Sequence, residues 1–238
     1  MRRRQSRFDE LGRRGETNLA LTGYTKIDPL AAVDAEERER QLTSLGLSAS
    51  RPTVLYAPTF YPSSVEKLLP HLPDLAESVN VIVKLHGFSW SQRRYRHQSE
   101  AAQQVAKEGV CLMPREDYNI VPLYAAADLL ISDISSTLFE YLALNRPILQ
   151  TTFTTPRLKH RIFKSRLRRR LDLGRSAEID FTHRLDRPED VSTVVREVLE
   201  KRNEMSPQRQ AAAERFLYRT DGRASARLVD AIEERLPK

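Results

Sequence analysis

The chain of 238 residues contains one cysteine, Cys111, so no disulfide can close within it and a reducing, cytoplasmic setting is expected. Cys111 stands in Val110-Cys111-Leu112-Met113 with no histidine at a useful spacing, and reads as a small packed apolar residue rather than a nucleophile. Tryptophan occurs once, and aromatic residues make up only 7% of the chain. No run approaches the roughly 20 apolar residues needed to cross a bilayer. The opening Met1-Arg2-Arg3-Arg4 is not followed by the apolar stretch of a secretory signal. There is no GxGxxG or Walker loop, which disfavours dinucleotide enzymes and ATPases. His71 and His97 lack a partner at metal-ligand spacing, so neither a metal nor another cofactor is expected.

What the chain does have is charge laid over a patterned core. It is 40% hydrophobic and 30% charged, with 39 Lys and Arg against 32 Asp and Glu and a net charge of +7. That excess favours anionic partners: nucleotides, phosphorylated polymers, nucleic acid or lipid headgroups. Charge alone supports nucleic acid, which makes it an unlikely partner.

Residues 1–20 are polar and Arg-rich and read as a leader or a severed linker, and residues 21–238 as one domain with C-terminal helices. Short apolar runs predict strands at Thr53–Ala57, Asn80–Leu85, Val110–Met113, Leu129–Asp133 and Ile148–Thr151. Between and after them, helices are expected at about 64–78, 91–108, 119–127, 136–144, 189–203, 207–218 and 222–235. An earlier helix is announced by Asp34 and Glu37 at capping-box spacing and by Gly46 near its end. Val81-Ile82-Val83 and Leu129-Leu130-Ile131 are continuous rather than alternating, as in strands buried on both faces. Together these predict an α/β class fold: a Rossmann-like, doubly wound parallel sheet.

In such a sheet ligands bind outside the carboxyl ends of the strands. Ser132-Asp133-Ile134-Ser135-Ser136-Thr137 follows the fourth strand and opens a short helix containing Glu140. Its hydroxyls, with unpaired backbone N–H groups, suit a phosphate; a cap on its own helix is the competing role for Ser135 or Ser136. Lys84 and His86, two apart at the end of the second strand, face the same way and suit a diphosphate. A surface lysine beside a helix-capping histidine is the alternative there, and His86 is also a candidate general acid or base. Thr59 offers a hydroxyl beyond the first strand, with a Pro-Thr turn that is only scaffolding as the alternative. Trp90 and Tyr95, among Arg93, Arg94 and Arg96, read as packed aromatics beside a solvated helix face. Residues 157–170, RLKHRIFKSRLRRR, form a cationic run suited to an anionic membrane surface or an acidic acceptor, with plain solvated charge as the alternative.

Read together, the motifs resemble the C-terminal, donor-binding half of the CDP-glycerol glycerophosphotransferases of teichoic-acid and capsule-type polymer synthesis. The matching pieces are Gly23-Tyr24-Thr25-Lys26-Ile27-Asp28, Val54-Leu55-Tyr56-Ala57-Pro58-Thr59, Lys84-Leu85-His86, Ala127 through Ser136, Phe139-Glu140-Tyr141 and Arg146-Pro147-Ile148. Asp221-Gly222-Arg223-Ala224-Ser225-Ala226-Arg227 completes the order.

The resemblance implies the C-terminal domain of a GT-B fold and a CDP-linked donor. His86 is implied as the catalytic residue, Ser135, Ser136, Lys84 and Thr59 as pyrophosphate-binding, and Asp133 and Glu140 as nucleotide-binding. An acceptor hydroxyl of an anionic polymer would take glycerol phosphate, and CMP would leave. The family's N-terminal Trp-His-Gly stretch, whose histidine is the expected base, has no counterpart here, so a separate N-terminal half is an expected partner. A UDP-using GT-B glycosyltransferase or related sugar-nucleotide enzyme, and a non-catalytic nucleotide-binding remnant, are the alternatives. The expected location is cytoplasmic, with peripheral contact at the inner face of the cell membrane.

Overall fold

The computed structural model describes residues 20–155 and 178–236. Both the Arg-rich leader, but for Ala20, and the cationic run 157–170 lie outside the described residues. Six parallel strands form one sheet: β1 (Thr53–Tyr56), β2 (Asn80–Val83), β3 (Cys111–Leu112), β4 (Leu129–Ser132), β5 (Ile148–Thr151) and β6 (His183–Leu185). Their order is β3-β2-β1-β4-β5-β6, the Rossmann order, which reverses direction between β1 and β4. The register runs Thr53 to Asn80 and Val54 to Leu129.

The helices, in chain order, are α1 (Ala35–Ser44), α2 (Val65–Leu68), α3 (Leu72–Ala76), α4 (Gly87–Ser91), α5 (Arg96–Val105), α6 (Val121–Ala126), α7 (Ser136–Glu140), α8 (Val191–Glu200), α9 (Ser206–Leu217) and α10 (Ala224–Glu233). A 3-10 segment, Thr25–Ala32, precedes α1.

The continuous apolar strands split by alternation onto two cores. Val54, Tyr56, Val81, Val83, Leu129 and Ile131 point to one face, where α2, α3, α5 and α8 pack. Leu55, Ile82, Leu130 and Ile148 point to the other, with α6, α7, α9 and the 3-10 segment. Each strand therefore has to be apolar on both sides, which is why period-two polarity is absent. Truncating one of these side chains, such as the fully buried Leu130, would cost about 2–5 kcal/mol.

The expected strands are all present, and the first four are slightly shorter than their sequence patterns. The chain keeps donating to the ladder for one more residue in β1, β2 and β3 (Ala57 N to Ile131 O, Lys84 N to Tyr56 O, Met113 N to Val83 O, each 2.9 Å). It then turns off toward the loops. β6 falls in a stretch that reads as turns; its three residues are too few to show a pattern.

The helix expected over 64–78 is two helices joined by a 3-10 turn. Pro70 and Pro73 each sit in the first turn of a new segment, where a missing N–H costs nothing. The helix expected over 91–108 starts at Gly87, breaks at Gln92 and resumes at Arg96. α1 begins as its sequence implies, with the Asp34 carboxylate accepting from Glu37 N at 2.8 Å. Glu37 does not close the reciprocal half of the box, because its carboxylate pairs with Arg40 at 2.7 Å. The helix ends at Gly46 (φ +69), with Leu47 N bonding Leu42 O and Gly46 N bonding Thr43 O, a Schellman closure.

The two ends of the chain's motif series clasp one another. The Asp28 carboxylate accepts from Ala224 N (3.0 Å) and Ser225 N (2.7 Å), capping α10. Arg227 makes a two-pronged pair with Asp221 (2.8 and 2.9 Å) and donates to Thr22 O. Gly222 (φ +73) lies so close that a Cβ there would sit 2.9 Å from Ala31 Cβ.

Burial pushes the Asp28 carboxyl up, but the bonds from Ser225 and Ala224 outweigh it and hold its pKa below 3.8. Asp28→Ala should lower the urea midpoint by the equivalent of about 1–2 kcal/mol at neutral pH. Because the folded carboxyl is the stronger acid, that difference should shrink as the pH falls below 3.8. An unchanged midpoint at pH 7 would refute the cap.

Candidate functional site

At the carboxyl edge, the loops after β1, β2 and β4 meet around the switch point. The Asp133 side chain, in a residue 1% exposed, organises them. Its Oδ2 accepts from Thr59 N (3.2 Å) and Ser63 Oγ (3.2 Å), and its Oδ1 from Ser64 N (3.2 Å) and Thr151 Oγ1 (2.6 Å). One carboxylate thus ties the β1 loop and β5 to the end of β4. Burial pushes this carboxyl up, against the lowering effect of the bonds from Ser64, Thr151 and Ser63. Its acceptor positions face the protein's own loops, and sequence reading missed Ser63, Ser64 and Thr151, which carry no motif of their own.

Beside this clamp, Ser135 is the N-cap of α7 and its Oγ accepts from Thr137 N at 3.4 Å. That is the capping role weighed as the alternative in the sequence. Ser136, the next residue, is exposed, and its hydroxyl makes no described contact. Ser132 Oγ donates to Ala57 O (2.6 Å) and meets Thr137 Oγ1 (2.8 Å), fastening the start of α7 to β1.

His86 is exposed at the N-cap of α4, where its Nδ1 accepts from Phe88 N at 3.1 Å. This bond fixes the neutral tautomer: Nδ1 is the acceptor, so Nε2 carries the hydrogen. Phe60 and Phe88 flank the ring, with centroids 4.7 and 5.0 Å away. Phe60 follows Thr59 directly, so the Asp133 bond to Thr59 N also sets the surface on which His86 rests.

Although the residue is open to solvent on part of its surface, partial burial of the ring lowers the His86 pKa below 6.5, and the Lys84 ammonium lowers it further. The Lys84 ammonium is itself depressed by burial, with Asp117 pulling it back up. The loop carries an Nε2–H donor and an ammonium near enough to influence each other, both suited to phosphate oxygens.

Glu140, 4% exposed, lies one turn along α7. It accepts from Lys26 Nζ (2.7 Å), Tyr124 Oη (2.9 Å) and Tyr24 Oη (3.3 Å). Burial, and then the Glu140 charge, raise both tyrosine hydroxyls. Tyr24 and Lys26 belong to a stretch that stood out in the sequence only by resemblance, since 116 and 114 residues separate them from Glu140. The structure therefore brings Thr59, His86, Asp133, Ser135 and Ser136 to one edge, with Glu140 anchoring α7 to the N-terminal motif.

Other sequence candidates are placed elsewhere. Cys111 is half-buried on β3, where burial raises its thiol pKa. Tyr95 is buried and Trp90 packs on the first core, while Arg93 and Arg94 are exposed. Nε2 of His97 lies 3.0 Å from Glu66 Oε1. Among the described residues no group of three or more His, Cys, Asp or Glu is placed to hold a metal, and no helix is long and apolar enough to cross a membrane.

A Rossmann-ordered parallel sheet with polar loops gathered at its switch point defines an α/β domain of the kind found in GT-B transferases. Solved structures agree on the fold. The wall teichoic acid polymerase TagF superposes with a TM-score of 0.63 at 19% identity, covering 96% of this chain and 56% of that one. A TagF variant soaked with CDPG gives 0.66 at 21%, covering 95% and 54%. Anabaena Alr3699/HepE in complex with UDP-glucose gives 0.57 at 12%, covering 87% and 56%. The chain thus spans about half the length of these structures. A search of curated protein sequences gives no match. Residues 13–234 match the CDP-Glycerol:Poly(glycerophosphate) glycerophosphotransferase family, and the chain belongs to it.

The His86 titration tests the geometry around it. Followed by NMR, its pKa should lie below 6.5, and Lys84→Ala should move it upward by removing one of the two causes. A value at or above 6.5 in the unaltered chain would contradict the arrangement.

Proposed function

We propose that the chain binds CDP-glycerol at the carboxyl edge of β1, β2 and β4, and supplies the donor half of a glycerophosphate transfer. The observation that carries this reading is positional. Thr59, His86, Ser135 and Ser136, which come from three separate motifs shared with the glycerophosphotransferase family, lie at the carboxyl edge, where a Rossmann sheet receives nucleotides.

In the reaction proposed, an acceptor hydroxyl oxygen attacks the β-phosphorus. The bond from that phosphorus to the bridging oxygen breaks, and CMP leaves with the electron pair. The acceptor's proton passes to a base outside the site described here, in the partner half that the family resemblance implies. Nε2–H of His86 donates to the phosphate of the leaving CMP, while Lys84 offsets the charge of the donor pyrophosphate. Ser135, Ser136 and Thr59 hold its oxygens, and Glu140 sets the nucleotide end through Lys26 and Tyr24. Asp133 acts through the loops it clamps. Catalysis of this type rests on positioning and charge stabilisation rather than on covalent participation.

The acceptor on this reading is an anionic polymer, consistent with the net charge of +7. Residues 157–170 would meet that polymer or an anionic membrane surface at the inner face of the cell membrane.

Calorimetry with the full chain tests the donor assignment. CDP-glycerol and CDP should bind more tightly than CMP, because CMP lacks the second phosphate. Replacing both Ser135 and Ser136 by Ala should weaken CDP-glycerol roughly ten- to a hundredfold, the equivalent of about 1.5–3 kcal/mol of charge-assisted hydrogen bonding. Absence of binding at millimolar ligand would sink the proposal, and preference for UDP-sugars would transfer it to the glycosyltransferase reading.

A further inference from the structure

The opposite, amino-terminal edge of the sheet carries a second concavity. It has a volume of about 530 Å³ and is built from the loops that enter β1, β4 and β5 and from the ends of α1 and α8. Four guanidinium groups line it, those of Arg38, Arg51, Arg146 and Arg202, against a single carboxylate, Asp128. That carboxylate is already engaged, taking Arg38 Nη2 at 2.7 Å and Thr53 N at 2.8 Å.

Some of these arginines have a structural task. Helix C-termini gather at this edge, and their last carbonyls need donors. Arg146 Nη1 bonds Ala125 O and Ala127 O at the end of α6, each at 2.7 Å. Arg51 Nη2 bonds Ala76 O (2.7 Å) and Val79 O (3.2 Å) beyond α3. Carbonyl partners satisfy the donors but leave the positive charge in place.

Three facts exceed that task. Arg202 is exposed, and its guanidinium makes no hydrogen bond or ion pair among the described residues. Nε of Arg38 is buried without a partner. Behind the wall lies Arg209, 0% exposed, whose Nη1 is likewise buried and unpartnered. Its remaining bonds go to Asn145 (O and Oδ1, both 3.2 Å) and Arg202 O (2.8 Å), two residues that line the cavity. A fully buried guanidinium with no carboxylate partner is costly unless an anion compensates it. Among the described residues, four guanidinium-bearing side chains and one carboxylate line a concavity of small-ligand size, with Arg209 buried behind it.

We propose that this cavity is a second anion site, which binds a phosphate group carried either by a small phosphate or by a phosphodiester chain, independently of the donor edge. Bidentate guanidinium contacts suit phosphate oxygens, and Arg202 lines the cavity with an exposed side chain.

Titrating the full chain with inorganic phosphate, and separately with a glycerol phosphate oligomer, tests the proposal by backbone amide NMR. Saturable shifts are expected at Ser50, Asn145 and Arg202. Arg202→Glu should weaken the affinity at least about tenfold at low salt, where charge attraction is least screened. Replacing Ser135 and Ser136 by Ala should leave these shifts unchanged. Binding of inorganic phosphate as tight as that of the oligomer would assign a lone phosphate group as the ligand; binding of the oligomer alone would assign a phosphodiester chain. The proposal is overturned if neither probe saturates, if Arg202→Glu binds as the parent does, or if the shifts lie at the β1 and β4 loops and vanish with the serine replacements. The Arg202 side chain has no hydrogen-bond or ion-pair partner among the described residues, so its replacement tests binding without removing such a contact.

Discussion

A single buried carboxylate carries the greatest structural burden at the carboxyl edge of the sheet. Asp133 is surrounded by four donors from two segments of chain: Thr59 N, Ser63 Oγ and Ser64 N in the loop after β1, and Thr151 Oγ1 at the end of β5. A carboxylate in such a position is costly to bury and stays only because its lone pairs are filled. The consequence runs outward. Fixing Thr59 fixes Phe60, Phe60 flanks the His86 ring, and His86 in turn caps α4 and presents Nε2–H. A buried polar contact with no ligand role of its own thereby sets the geometry of the exposed groups suited to a ligand.

The second device is the clasp between the chain's first and last motifs. Asp28 caps α10 and Arg227 reaches back to Thr22, so the segment Thr22–Asp28 is held at both ends. That segment delivers Tyr24 and Lys26 to Glu140, and Glu140 anchors α7, whose first residues are the candidate phosphate hydroxyls. Motifs about 200 residues apart in sequence therefore act on one helix.

Much of this was legible in the chain itself. Continuous apolar runs such as Leu129-Leu130-Ile131 identified strands buried on both faces, and the strand–helix alternation gave the Rossmann class. Strand ends located Thr59, His86, Ser135 and Ser136, because the carboxyl-edge rule depends only on topology. The partners of Asp133 and Glu140 were not legible: a carboxylate's hydrogen bonds to Thr151 or Lys26 are long-range facts with no periodic signature. β6 escaped because three residues, His183-Arg184-Leu185, cannot display a period. The helix over 64–78 was read as continuous because its apolar spacing persists through Pro70 and Pro73, although the backbone must restart at each. The arginine-lined cavity was invisible for the same reason as the clamps, since Arg38, Arg51, Arg146 and Arg202 meet only through the fold.

The measurement that bears most directly on this account is amide hydrogen exchange in Asp133→Asn, which keeps the size of the side chain and removes its charge. One of the two oxygen acceptors becomes an N–H₂ group facing other donors. The account predicts a folded chain, less stable by about 1–3 kcal/mol, in which the Thr59 and Ser64 amides exchange at least about tenfold faster while the strand amides of β2 keep their protection relative to global unfolding. Unchanged stability together with unchanged protection at Thr59 and Ser64 would contradict it.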